Sequence, residues 1–353
     1  MSELKVFVDK RQRDRVFGRL LRALAKNEYP YNISKLPQRQ ENIPASIIHG
    51  SKEHALFLFA TCFYMRGSIK SEAAFQGLKR LYEQYPALFI PSAFETDASI
   101  PAFSKILFKH LNDKTISLVL GYKSKEICRF WPLGFQKLHR FWRGNPANLF
   151  AEIADYHEAY RRIMNGKKNT PENPNGFWGF QEKMSSMLAY FLMSAGIIDP
   201  LLVPVPVDFH VQRVLFSHEI LVADAPLGEN LCTRETLELA RSTVVEYCKE
   251  HHESPVRLCD ALWLLSTTIC NLNPGNETRR TGKRKMRHTE IWHPPVVWTH
   301  RNTLRDHTRS CLSCPAPCRY NIPSGTYYVR GHLILLGERA TPRVALFREE
   351  NDP

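Results

Sequence analysis

Apolar residues recur at helical spacing along most of this chain. Val16, Leu20, Leu21 and Leu24 form one stripe, with Arg and Lys on the other side. A polar linker follows from Pro30 to Pro44. Helical runs are expected at 50–64, 69–84, 101–110, 114–121, 124–142 and 148–164. Residues 165–176, rich in Gly, Lys, Asn and Pro, read as a loop. The short apolar turn Phe177-Trp178-Gly179-Phe180 leads into a helix over 182–195. There Met184, Met187, Leu188, Phe191 and Leu192 define an apolar face. Alternating Val and Pro from Val203 to Val207 lead to Asp208, and helices are expected at 209–221, 233–251 and 255–269. The period changes near the end. Tyr327-Tyr328-Val329 and His332-Leu333-Ile334-Leu335-Leu336 flank Arg330-Gly331, and Val344-Ala345-Leu346-Phe347 follows, a small β-hairpin or three-stranded meander.

At 353 residues and 43% apolar, the chain is long enough for two cores. Its net charge of +13 points to a polyanionic partner, DNA or RNA, against the plainer reading of a generically basic surface. No apolar run reaches the length of a membrane span. Residues 1–10 lack the apolar core of a signal peptide, so a cytoplasmic location is expected, nuclear in a eukaryote. Thiols stay reduced there, and nine cysteines, an odd number, fit a disulfide framework poorly. Cys62, Cys128, Cys232, Cys248 and Cys259 are scattered and read as small core residues. Cys270, Cys311, Cys314 and Cys318 are different. Four thiolates at this spacing suit a metal or an iron–sulfur cluster, with structural zinc an alternative.

Between those cysteines, residues 271–310 hold nine Lys or Arg and three acids, a net of +6. The basic run comprises Arg279, Arg280, Lys283, Arg284, Lys285 and Arg287, with Arg301, Arg305 and Arg309 further on; Trp292 and Trp298 add possible stacking platforms. The competing reading is a solvated insertion.

Three constellations stand in order: Gly179-Phe180-Gln181-Glu182-Lys183, then Val207-Asp208-Phe209-His210-Val211-Gln212-Arg213-Val214, then the cysteines. Singly, Lys183 reads as a solvated lysine and Asp208 as a helix cap. Together they resemble the helix–hairpin–helix DNA glycosylases of the endonuclease III and adenine-DNA glycosylase class. In that family a Leu-Pro-Gly-Val-Gly-x-Lys hairpin opens a helix, and a Val-Asp-Thr-His-Val-x-Arg-Val motif follows. A helix ending in the first cluster cysteine comes next. Here Asp260-Ala261-Leu262-Trp263-Leu264-Leu265, running to Ile269-Cys270, looks like that helix. Gly121 to Lys125 is similar to the family's Gly-x-x-x-x-Lys helix start. The resemblance covers residues 50–320.

The resemblance implies base excision from double-stranded DNA carrying a damaged or modified base, by a monomer. Lys183 would attack the anomeric carbon and form a Schiff base, and Asp208 would stabilise positive charge on the sugar. A helix N-terminus, and burial beside Trp178 and Phe180, would both favour the neutral amine, with Glu182 opposing. Gly179 and Gln181 would lie at the phosphate-gripping hairpin, where Gln181 replaces the family's second glycine. A wedge residue is expected near Tyr64-Met65-Arg66-Gly67-Ser68, without the family's glutamine. The glutamate of adenine-specific members is not evident either. The cysteines would hold a [4Fe–4S] cluster, with a last interval shortened from five residues to three.

The expected fold class is all-α: a two-lobed helix–hairpin–helix glycosylase fold with an Fe–S cluster domain and a small C-terminal β-hairpin or meander. Its parts are residues 1–49 (helix and linker packing with the cluster domain), 50–198 (helical barrel), 199–320 (cluster domain) and 321–353 (β tail). Two other functions fit the same residues: a non-catalytic nucleic-acid-binding protein that kept the cluster, or a monofunctional glycosylase using Asp208 alone.

Overall fold

The computed structural model describes residues 5–27, 31–65, 71–112, 124–166, 170–207, 209–224, 233–269, 326–329 and 332–335. The protein is mostly helical and divides into two compact units. One comprises residues 1–33 and 207–353, and the other residues 34–206. Residues 34–49 thus fall in the second unit.

In the first unit, strand β1 (Lys5–Val8) pairs antiparallel with β2 (Leu221–Asp224), Val8 opposite Leu221 and Lys5 opposite Asp224. Helix α1 (Lys10–Ala25) is capped by Asp9, whose carboxylate accepts the Gln12 N–H at 2.9 Å. Its stripe Val16, Phe17, Leu20, Leu21 and Leu24 is buried as the periodicity predicts. Arg13 is also buried, at 1% exposure, and the charge is tolerated because acids surround it. It pairs with Asp14, and with Glu250 of α9 (Arg234–His251), and lies 5.7 Å from the Tyr247 ring centroid. Helix α8 (Phe209–Ser217) precedes β2, and α10 (Pro255–Leu264) packs on α1. The expected hairpin is present as β3 (Thr326–Val329) and β4 (His332–Leu335), antiparallel with Val329 opposite His332.

The second unit is built around α2 (Lys52–Tyr64). Every residue from His54 to Tyr64 is buried, as in a helix that is apolar on all sides. Helices α3 (Ser71–Gln84), α5 (Ser124–Trp142) and α7 (Glu182–Ser194) pack on it, and α4 (Ser99–Asn112) packs on α5. The core is aromatic: Phe57, Phe59 and Phe63 meet Phe75, Phe89, Trp131, Phe135 and Phe180 at centroid distances of 5.1–6.5 Å. Close approach there requires Gly134, where an added Cβ would lie 2.5 Å from the Phe63 ring. Helix α5 also contains Pro132, which has no N–H for the Cys128 carbonyl one turn back. The Ser104 hydroxyl of α4 donates to that carbonyl at 2.8 Å, so the helix continues through the proline.

Several expectations are corrected. The helix expected over 148–164 is a 3₁₀ turn, Pro146–Phe150, and then α6 (Tyr156–Ile163), because Asp155 caps a fresh N-terminus by accepting the Glu158 N–H. The helix expected to reach 221 ends at Ser217, and Leu221–Asp224 is strand. The helix expected over 255–269 changes to π-helical geometry at Leu265. The 30–44 segment is not a solvated linker: Leu36, Gln38 and Ile43 are buried. The buried side of α7 includes Ser185, Ser186 and Ala189, with Met184 and Met187 only half-buried. Its serines tolerate burial because each is bonded, Ser185 to the Gln181 carbonyl and Ser186 to Tyr160.

His54 gives this unit an acid sensitivity. Its Nδ1 accepts the Gly50 N–H at 3.1 Å, and its buried Nε2 meets no partner among the described residues. Burial, with His49 close by, pushes its pKa down to about 4. Between that value and 6.5 the unfolded chain takes up the proton first, so acidification removes stability. A His54→Gln protein should lose about 2 kcal/mol less stability than wild type on going from pH 6.5 to 4, measured by denaturant melts.

Candidate nucleic-acid interface

Helix α6, the segment after it and α7 form one hydrogen-bonded unit. The C-terminal carbonyls of α6 need hydrogen-bond donation from outside the helix. The N–H groups of Gly176 and Phe177 supply it, donating to Arg162 O at 2.8 Å and Ile163 O at 2.9 Å. The chain then turns: Phe180 N–H donates to Phe177 O at 3.1 Å, with Gly179 at φ +86° in the third position, as a type II turn requires. Asn165 N–H donates to Phe180 O at 2.7 Å and closes the loop. The rings of Phe177 and Phe180 are buried against Phe59, at 5.4 and 5.6 Å, and against each other at 6.0 Å. The turn is thus an outer feature on the aromatic core.

Gln181 is the N-cap of α7, exposed, at φ −119° and ψ −177°. That is extended backbone open to any residue, so the missing second glycine imposes no strain. No side chain caps α7 at Gln181, and the first-turn N–H groups have no acceptor within the helix. With the Gly176, Phe177 and Phe180 amides engaged, an anion would meet the Trp178 and Gly179 N–H groups and the positive end of the α7 dipole. Gly179→Val should cost about 1–2 kcal/mol, since a β-branched residue is strained at positive φ, whereas Gln181→Gly should cost less than 1 kcal/mol; thermal melts compare them.

Lys183 is the second residue of α7, half-buried, in this same unit. Asp208 lies outside the described residues, so the distance between the two is not part of this geometry. Cys270, Cys311, Cys314, Cys318, the basic run Arg279, Arg280, Lys283, Arg284, Lys285 and Arg287, and the stretch 66–68 also lie outside them.

Sequence reasoning missed Lys137. This residue of α5 lies against the Trp178 ring. Its Nζ lies 4.6 Å from the Trp178 centroid and 5.9 Å from that of Phe177. It donates to Gly176 O at 2.7 Å and Asn175 O at 3.4 Å, and Trp142 Nε1 donates to Pro174 O at 3.0 Å. Lys137 is 1% exposed, and burial pushes its pKa down to about 8, with Glu172 opposing. The available signal was a lysine interrupting the stripe Phe130, Leu133, Phe141.

Among the described cysteines, Cys62, Cys128, Cys248 and Cys259 are all buried and form no disulfide with one another. Burial pushes the thiols of Cys128 and Cys248 up to about 12 and that of Cys62 higher still, so these are poor thiolate donors. Asp14, Glu250 and His251 lie close together on the surface, but their carboxylates are engaged with Arg13. No protein-family model matches this chain, and no curated protein matches it. No helix among the described residues is long and apolar enough to cross a membrane.

Proposed function

We propose that this protein is a DNA glycosylase with lyase activity that removes a flipped, damaged or modified base from double-stranded DNA. The observation that carries the reading is the α6–turn–α7 unit, in which Gly179 at positive φ lies three residues before Glu182, the first residue of the helix that bears Lys183. Amide donors grouped in that way suit a DNA phosphate, and a phosphate held there would bring the sugar backbone near Lys183.

In this mechanism the neutral Lys183 amine attacks the anomeric carbon, the glycosidic C–N bond breaks, and the base leaves with a proton. Asp208 stabilises the cationic character of the sugar during that step. The amine then loses a proton, the sugar ring opens at the C1′–O4′ bond with a proton taken up by O4′, and the iminium so formed allows loss of a proton from C2′ and cleavage of the 3′ C–O bond. Hydrolysis of the imine then frees the lysine. The basic run from Arg279 to Arg287 supplies further phosphate contacts, each adding to the salt dependence of binding.

Cys270, Cys311, Cys314 and Cys318 would hold a [4Fe–4S] cluster, or zinc, as a structural staple. Four thiolates suit either as a donor set, and the buried thiols elsewhere do not compete for the role. Iron analysis and a visible absorbance bleached by dithionite distinguish cluster from zinc.

The test is borohydride trapping on duplexes carrying abasic sites and a panel of damaged bases. A covalent protein–DNA adduct is the expected result. Base release without adduct would replace the lyase by a monofunctional enzyme that relies on Asp208. Duplex binding with neither product, across the panel, would overturn the enzyme reading.

A further inference from the structure

A lysine held away from water is costly unless its ammonium has acceptors, and Lys137 has them in the segment that leads into the turn. Two side chains of α5, Lys137 and Trp142, hold three successive carbonyls, those of Pro174, Asn175 and Gly176. The N–H groups of Gly176 and Phe177 are held by α6. The backbone entering the turn is therefore fixed from both sides, and its next ring, Trp178, rests on the Lys137 ammonium.

We propose that Lys137 is a positioning residue for the phosphate grip: its buried ammonium clamps the 174–176 carbonyls and the Trp178 ring, and so fixes the amides of the turn for DNA. This rests on the reading of the turn as a phosphate-binding element. The clamp acts through backbone geometry, since Lys137 itself is too buried to touch a strand.

The clamp requires the charged form of a group whose pKa lies near 8, so it releases at mildly alkaline pH. The charged groups around it do not substitute for that charge. Glu172 of the loop faces it and favours the ammonium. Arg162 of α6 is engaged with Glu158 and the Ala151 carbonyl. Asp97 is engaged with Gln136 and Arg140. On α2, which packs on α5, the titratable residues are Lys52, Glu53, His54, Cys62 and Tyr64, and Lys52 donates to the Arg143 carbonyl.

Two measurements on the full chain test the proposal. The first is the emission of Trp178 against pH, taken as the difference between wild type and Trp178→Phe. Wild type should pass through a transition near pH 8, absent from Lys137→Met and from Lys137→Arg, whose cation does not titrate in this range. The second is affinity for a short abasic-site duplex at fixed ionic strength. Between pH 7 and 9.5 wild type should lose about tenfold more affinity than Lys137→Arg, and Lys137→Met should bind about tenfold more weakly at pH 7.

A Lys137→Met protein with wild-type circular dichroism, wild-type affinity at pH 7 and no change in Trp178 titration would overturn the clamp. Should Lys137→Met fail to fold, the wild-type transition decides: no transition near pH 8 overturns the clamp as well. If the transition is present but wild type binds no duplex at any pH, the clamp on the turn stands and the DNA reading fails.

Discussion

Lys183→Ala should reduce the borohydride-trapped adduct with abasic-site DNA by about a thousandfold or more, the scale expected when a covalent nucleophile is removed. Affinity for the same duplex should hardly change, because the proposed grip is made by backbone amides around Gly179 and the start of α7. That split separates chemistry from binding. Lys183 lies in the first turn of α7, half-buried, so truncating it opens no core cavity and thermal stability should stay within about 0.5 kcal/mol of wild type. A large stability loss would mean that Lys183 serves the fold. An adduct that persists at wild-type rate would assign the attacking amine elsewhere.

Phe59→Ala should have the largest effect on stability, about 3–5 kcal/mol by denaturant melts, as for a large aromatic cut from a closed core. Phe59 is fully buried and touches Phe63, Phe135, Phe177 and Phe180 at 5.1–5.6 Å. Its loss differs in kind from that of an ordinary core residue. Phe177 and Phe180 bracket the turn, so a cavity beneath them frees the segment that carries Gly179. Near the wild-type melting midpoint the turn should exchange its amide hydrogens faster than α5 does, which hydrogen exchange can read. Phe59→Leu, which keeps most of the volume, should recover much of both losses.

The legible parts of this molecule were those written in local periodicity. Helices α2, α3, α5, α7 and α9 lie within two residues of their expected bounds because each carries a continuous helical pattern. The β3–β4 hairpin was legible because its two apolar segments flank Arg330-Gly331 in the sequence. Strand β1 was not, since Lys-Val-Phe-Val is too short to announce a partner more than two hundred residues away. Asp155 was readable as a cap only in hindsight, because the apolar pattern runs on through it. At the candidate site, Gly179 and Lys183 were found from motif order, whereas Lys137 was not. Its role depends on carbonyls that face it across the fold, and no spacing in α5 records them.

The pairing of β1 with β2 bears on the order in which the chain folds. Residues 34–206 form an uninterrupted stretch and can close their own core as soon as they have been synthesised. The apolar stripe of α1 cannot, because its partner α10 and the strand opposite Val8 lie beyond residue 220. At about 5–20 residues per second, Val16, Phe17, Leu20 and Leu21 wait roughly 10–40 s for cover. During that interval the uncovered α1 stripe is a substrate for holding chaperones, and the unit that closes later is the one that contains Cys270, Cys311, Cys314 and Cys318 and the basic arm.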